Sequence, residues 1–338
     1  MRKDTGQRLI ASSVRSAPES ARRPVPFALV QLTFLLLTVP SLVVSGCGDT
    51  ARFQPPRVPP GEYCRVVSLT PSVTEIFYAL GAGERLVGVT TWCDYPPAAR
   101  GITKVGDFIQ PNLEALLALD PDLIVLAPTG DLLKESYDNL EKLGFALLVV
   151  WNNTLEETLD AVTEIGRALR LEEAAAALRT QLEEEIRRQQ ERLASLPAQR
   201  VLWLVGRNPL IAVGEGTFQN ELLEAARGIN VASDLGPWPV ISAEFVLRID
   251  PDVIIDSSMD TASSDFEETS PEGNNGSRDI ASKHNSASPF ARFSTLRALQ
   301  QGRIHAVHAD VLYRPGPRMA EALQLVANTL HPELRSDR

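Results

Sequence analysis

Tryptophan and arginine residues set among prolines are the side chains of this sequence best suited to do chemistry. They occur in Trp92-Cys93-Asp94-Tyr95-Pro96-Pro97, in Pro237-Trp238-Pro239 and in the run from Asp310 to Arg318 (Tyr313-Arg314-Pro315-Gly316-Pro317-Arg318), with Phe108 in another short polar loop. A tryptophan held between two prolines is rigid and hard to bury, which suits a face on which a flat ring stacks. An arginine beside Pro-Gly-Pro is held ready to meet an amide or phosphate group with its planar fork. Singly, each aromatic could equally be a core or lid contact. The chemistry this predicts is recognition, because the patterns of bond-making sites are missing. There is no Gly-x-x-x-x-Gly-Lys loop, and Gly81-Ala82-Gly83 lacks the third glycine of a dinucleotide fingerprint. No Gly-x-Ser-x-Gly elbow is present. His305 and His308 are three apart on or beside a strand, so they point to opposite faces and make a poor metal pair. We therefore expect no enzyme, no resident metal and no cofactor.

These residues need a frame to bring them together. The chain has 338 residues, 44% hydrophobic and 22% charged, which fits a globular protein of about two domains. A net charge of -10 argues against nucleic acid as a partner. From Arg65 onward, short apolar runs alternate with helical ones: strands at 66–69, 86–90, 123–126 and 146–150, helices at 71–80, 112–119 and 137–143. Such alternation predicts parallel βαβ units. The pattern restarts after Pro197, with strands at 201–205, 210–213, 253–256 and 304–307 and helices at 220–226, 243–249, 290–299 and 318–329. Residues 112–125 line up with 243–255 around a shared short helix, Asp-Pro-Asp and strand. The fold class expected is thus α/β, with two similar lobes of parallel sheet. Between them, 154–197 is almost wholly helical in propensity with a break near Leu171. A helix over 172–196 would be about 37 Å long, enough to join the lobes rigidly and to allow only modest closure. The lobes are expected at 62–153 and 198–331, the second interrupted at 257–289 by a Ser/Asn/Gly-rich insertion read as disordered. In parallel α/β sheets the carboxyl ends of the strands line the ligand crevice, and the aromatic and arginine loops above all follow strands.

The N-terminus reads as an export signal. Residues 1–26 carry six Lys/Arg against Asp4 and Glu19, Phe27 to Val44 carry no charge, and Val44-Ser45-Gly46-Cys47 follows. The tetrad resembles a bacterial lipobox, which implies a signal peptide at 1–46, lipidation of Cys47, and a periplasmic or other extracytoplasmic site on a membrane. Removing 46 residues takes away six positive and two negative charges and leaves 292 residues at -14. Residues 47–61 form a Pro-rich tether. A disulfide between Cys64 and Cys93 is not expected, since the two sit at opposite ends of neighbouring parallel strands.

Arg65-Val-Val-Ser-Leu-Thr-Pro-Ser-Val-Thr-Glu75, the Asp94-Tyr-Pro96 turn, Pro111-Asn-Leu-Glu114 with Pro121-Asp122, Pro237-Trp-Pro239 and Arg314-Pro-Gly-Pro-Arg318 resemble the vitamin B12-binding branch of the helical-backbone metal-chelate receptors. These are binding proteins of class III type, with a helix joining two lobes. The resemblance covers about residues 62–331, apart from the insertion. It implies a monomeric protein that captures cobalamin or a related corrinoid and hands it to an ABC permease and its ATPase. The wider family implies the alternative of a ferric siderophore or haem; an extracytoplasmic enzyme or chaperone on the same frame is a more distant one. By the same resemblance, Trp92, Phe108 and Trp238 contact the ligand's ring, Asp310 and Arg314 its fringe, and Glu75 and Glu224 dock the permease. Pro128 stands where the branch has a further tryptophan. Ser72-Val-Thr-Glu75 also fits a capping box, and Glu224 fits an ordinary helical surface. Cys93, next to Trp92, could reach a bound metal centre or be a small half-buried thiol.

Overall fold

The computed structural model describes residues 59–128, 139–258, 278–279 and 294–335. The expected signal peptide, Cys47 and most of the tether lie outside the described residues, as does most of the 257–289 insertion. Among the described residues no helix is long and apolar enough to cross a membrane.

Each lobe is built on its own sheet. The first contains β1 (Val66–Ser68), β2 (Leu86–Val89), β3 (Leu123–Leu126) and β4 (Leu147–Val149), all parallel in the order β2-β1-β3-β4. The second contains β5 (Gln199–Arg207), β6 (Leu210–Ala212), β7 (Gly228–Asn230), β8 (Val253–Asp256), β9 (Arg278–Asp279) and β10 (Ile304–Ala306), in the order β6-β5-β8-β10-β9 with β7 also beside β5. This sheet corrects the expectation of wholly parallel strands. β6 runs antiparallel to β5 and β9 antiparallel to β10. Two residues, Asn208 and Pro209, separate β5 from β6, and so short a link permits only a hairpin. The helices are α1 (Pro71–Ala79), α2 (Leu113–Leu119), α3 (Leu155–Ala168), α4 (Glu172–Leu193), α5 (Phe218–Ala225), α6 (Ala243–Ile249), α7 (Arg297–Gln300) and α8 (Met319–Leu330).

The repeated Asp-Pro-Asp is one structural device used twice. α2 and α6 each have seven residues, started by the side chains of Asn112 and Ser242, which accept from the Ala115 and Phe245 amides. Each ends on a left-handed aspartate, Asp120 at φ 44° and Asp250 at φ 43°, a conformation that Asp tolerates better than most residues. Proline then stops the helix. The second aspartate accepts backbone amides at the start of the lobe's first strand: Asp122 from Cys64 and Arg65, Asp252 from Arg200. Arg65 and Arg200 in turn donate to the last helical carbonyls, Arg65 to those of Leu119 and Asp120, Arg200 to those of Ile249 and Asp250. The otherwise orphaned carbonyls of both helix ends are thereby satisfied.

Joining the lobes, α3 and α4 pack closely. α4 has 22 residues, about 33 Å of helix, and breaks from α3 at Arg170, where φ is 57°. Arg179 of α4 bonds Glu156, Asp160 and Glu183, tying α3 to α4. Apolar burial continues across the joint: Val73 and Phe77 of α1, Val162 and Ile165 of α3, Leu182 of α4, and Leu323 and Val326 of α8 belong to one buried cluster. A shared core and a stiff helix both resist hinge bending.

Two expected boundaries move. Gly61, at the end of the tether, donates to the Ala168 carbonyl at 3.1 Å, and Tyr63 packs on the core. Ser257 and Ser258, read as the start of an exposed insertion, are buried at 1% and 3% exposure. The Ser257 amide continues the β5 ladder onto the Leu204 carbonyl, and its hydroxyl accepts from Trp203 Nε1 at 2.7 Å.

A Cβ added to Gly166 of α3 would lie 2.3 Å from Ala175 Cβ of α4. Glycine to alanine in a helix ordinarily stabilises by up to about 1 kcal/mol. Here overpacking reverses the sign, and Gly166→Ala is expected to destabilise by about 1–3 kcal/mol in urea unfolding.

Candidate functional site

The loops carrying the expected ligand residues are fastened by backbone bonds. After β2, Thr91 N donates to Gly106 O at 2.9 Å and Val105 N to Val89 O at 2.9 Å. These lay the Trp92 loop and the Phe108 loop side by side. Lys104 Nζ donates to Cys93 O at 2.8 Å and Ala99 O at 3.3 Å, which holds the rim turn. Trp92 stands 61% exposed on it. Its neighbour Cys93 is fully buried and hydrogen-bonded to Thr90 Oγ1 at 3.0 Å. That geometry corrects both earlier readings of Cys93, since a thiol wholly enclosed beneath the turn meets no ligand metal and is not half-exposed. Cys64 is an exposed free cysteine and Cys93 a buried one. Phe108 is part-buried and packs on the hydrophobic cluster of the first lobe, so only part of its ring is open to solvent.

In the second lobe, Trp238 is held from both sides. Gly214 N donates to Pro237 O at 2.8 Å and Ala212 N to Pro239 O at 3.0 Å. The prolines cannot donate, but their carbonyls complete a short pairing that presents the indole 44% exposed. The sequence's other two tryptophans differ: Trp203 is fully buried and Trp151 is half-buried.

Between the lobes lies a cleft of about 130 Å³. Its walls are the start of α1 (Thr70, Ser72), Asn152 after β4, the start of α5 (Thr217), Trp238 and Arg314. Of the expected ligand residues, only Trp238 and Arg314 line it. A water occupies about 30 Å³ of liquid, so the space these residues bound amounts to a few waters. Trp92 and Phe108 stand outside it on the first-lobe rim.

Next to the cleft, and sharing Arg314 with it, is a cluster of charges. Glu75, on α1, is only 3% exposed, and Arg318 grips its carboxylate with two bonds of 2.9 and 2.7 Å. Arg318 also meets Asp310 at 3.3 Å and stacks over the Tyr95 ring at 4.0 Å. Arg314 Nη1 lies 2.6 Å from Asp94 Oδ1, 3.0 Å from Asp310 Oδ2 and 3.9 Å from Glu75 Oε1. Asn152 Nδ2 adds neutral bonds to Ser72 Oγ (2.9 Å) and Pro315 O (3.1 Å). Burial pushes the Glu75 carboxyl up, against the pull of Arg318. Partial burial would also raise Asp94, but its hydrogen bond and charge contact with Arg314 win and hold it below the usual range.

This arrangement corrects two readings of Glu75. It makes no capping box, for Thr70 caps α1 without a side-chain bond and the Glu75 carboxylate is spent on Arg318. Nor is it a surface carboxylate that another protein can reach. Glu224 is exposed and accepts from Asn220 Nδ2 at 2.9 Å. Two further carboxylates that the sequence did not single out are Glu114 and Glu244. They occupy the same place in the first turns of α2 and α6, exposed, one per lobe. The internal repeat around Asp-Pro-Asp was the signal that relates them. His305 is buried on β10 and His331 bonds the Ala226 carbonyl from a buried position. No group of three or more metal-binding side chains occurs among the described residues.

A family model described as periplasmic binding protein matches residues 66–283. A vitamin B12-binding protein of Vibrio cholerae is 29% identical over 303 residues, covering 89% of this chain and 96% of that relative. Among solved structures, the periplasmic vitamin B12 binding protein of Vibrio cholerae aligns with TM-score 0.65 and 26% identity, over 82% of this chain and 99% of the other. A periplasmic heme-binding protein from Roseiflexus aligns with TM-score 0.65 and 25% identity, over 80% and 99%.

Arg318→Met would leave Glu75 buried without its partner. The expected loss is about 3–5 kcal/mol in urea unfolding. The double variant Glu75→Leu/Arg318→Met should recover part of it, because no buried charge is then left alone. A loss below about 1 kcal/mol for the single variant would show that the pair does not hold the lobes.

Proposed function

This chain belongs to the periplasmic binding protein family, and from that premise we propose that it captures cobalamin or a related corrinoid outside the cytoplasm and delivers it to an ABC permease. The observation that carries the reading is the pair of exposed tryptophans, one on each lobe, held rigid by backbone bonds at loops that flank the cleft. A corrin is a broad, flat ring with an amide fringe. Trp92 and Trp238 offer it two apolar faces, the open part of the Phe108 ring a third contact, and Asp310 and Arg314 polar partners for the fringe. The likeness to vitamin B12-binding relatives over most of both chains supports the same ligand. A lipid on Cys47, implied by the lipobox-like tetrad, would tether the protein to its membrane.

Permease docking we assign to Glu114 and Glu244, with Glu224 as a further exposed carboxylate of the second lobe. Two equivalent acidic groups on equivalent helices suit a partner made of two similar halves bearing arginines. Glu75, already spent on Arg318, is left out.

A haem-binding solved structure aligns as well as the B12-binding one, which makes haem the second reading. Tryptophan fluorescence separates the two. Cyanocobalamin should quench Trp92 and Trp238, and Trp92→Ala or Trp238→Ala should each weaken binding by about tenfold, or about 1.4 kcal/mol. Quenching by haemin without quenching by cyanocobalamin would move the ligand to haem. For docking, Glu114→Arg with Glu244→Arg should leave cyanocobalamin affinity within about twofold and abolish stimulation of the transporter's ATPase in proteoliposomes. Full stimulation by that variant would remove these carboxylates from the interface.

A further inference from the structure

Arg314 is the cation best placed to greet an acidic ligand, yet it is already engaged. Its side chain is 13% exposed, it lines the cleft, and its Nη1 faces three carboxylates, from Asp94, Asp310 and Glu75. The second guanidinium of the cluster, Arg318, is committed to Glu75 in bidentate fashion. Three carboxylates thus surround two guanidiniums. Two cations of the Asp94 turn, Arg100 and Lys104, bond backbone carbonyls: Arg100 Nε that of Asp94 at 3.2 Å, Lys104 those of Cys93 and Ala99. Among the three acids Asp94 stands apart. It comes from the opposite lobe to Arg314, its side chain is 52% exposed, and it sits two residues from Trp92.

We propose that Asp94 is a specificity-determining residue, an internal carboxylate that occupies Arg314 and so selects amide-fringed chelates over carboxylate-fringed ones. This rests on the corrinoid reading and sharpens it. Arg314 lines the cleft and Asp94 of the opposite lobe lies 2.6 Å from it, so a ligand group that reaches Arg314 must part the two or sit beside them. An incoming amide can accept from Arg314 through its oxygen and donate to Asp94 through its nitrogen, satisfying both former partners. An incoming carboxylate can satisfy Arg314 alone. It leaves Asp94, half-exposed as it is, facing a like charge at close range, which disfavours that ligand. A missing donor at a site built for one is penalised more heavily than a small change in apolar area.

The test compares ligands that differ by one functional group on one ring. Affinities of cyanocobalamin and of its monocarboxylic acid derivative are measured by titration calorimetry for the purified protein, for Asp94→Asn and for Asp94→Glu. The unaltered protein should prefer the amide form by tenfold or more. Asp94→Asn should shrink that preference by about tenfold, and Asp94→Glu, which keeps the charge, should retain most of it. A preference unchanged by Asp94→Asn overturns the inference while leaving the corrinoid reading intact. If haemin binds and no corrinoid does, the corrinoid reading falls, and the inference is then read on haemin's two propionates. Asp94→Asn should tighten haemin by about tenfold, and an unchanged haemin affinity overturns the inference as well.

Discussion

Glu75 is a carboxylate buried where water cannot reach it, and the joint between the lobes is organised around that fact. Burying an unpaired ionised carboxylate is costly enough that a partner must be supplied. The partner, Arg318, arrives from 243 residues away in the chain. Once Arg318 is fixed against α1, the loop before it is fixed too. Pro315 then comes to lie against Asn152, and Arg314 projects into the space between lobes, where Asp94 meets it. A single buried charge thereby sets the place of the arginine that lines the cleft.

The aromatic part of the site is built by a different means. Trp92 and Trp238 are carried on loops fastened by backbone bonds. They are anchored through what lies next to them: the enclosed Cys93 and the Lys104 ammonium on one side, the carbonyls of Pro237 and Pro239 on the other. A ring held by its neighbours keeps both its exposure and its orientation, which is the condition for stacking at low entropic cost. Rigid platforms, a stiff α4 and an apolar core continuous across the joint all favour small motions of the loops over a wide swing of the lobes.

Some of this was legible in the chain, and the particulars show why. The two Asp-Pro-Asp segments were readable because each encodes a purely local device: a cap, a left-handed stop and a second cap. The interlobe helices were readable because Ala, Leu, Glu and Arg at helical spacing require no distant partner. The antiparallel β6 was not readable as such, because an apolar run says nothing of direction. Phe108 and Cys93 stood in loops by sequence yet lie partly or wholly buried, because loops here pair with strands and fold over the core. Glu75 had one local reading, the capping box, and its carboxylate pairs instead with an arginine 243 residues away.

By itself the sequence determined the alternation of strands and helices, the duplication of the lobe, the rigid connection and the aromatic and arginine loops, all of which rest on contacts within a few residues. The tertiary structure alone decided which acids are spent and which are exposed. Arg318 takes Glu75, Arg314 is shared by Asp94 and Asp310, and Glu114 and Glu244 stay at the surface on matching helices. The physical reason is that charge pairing depends on distance in space and on dehydration, and neither is written in the spacing of residues along the chain.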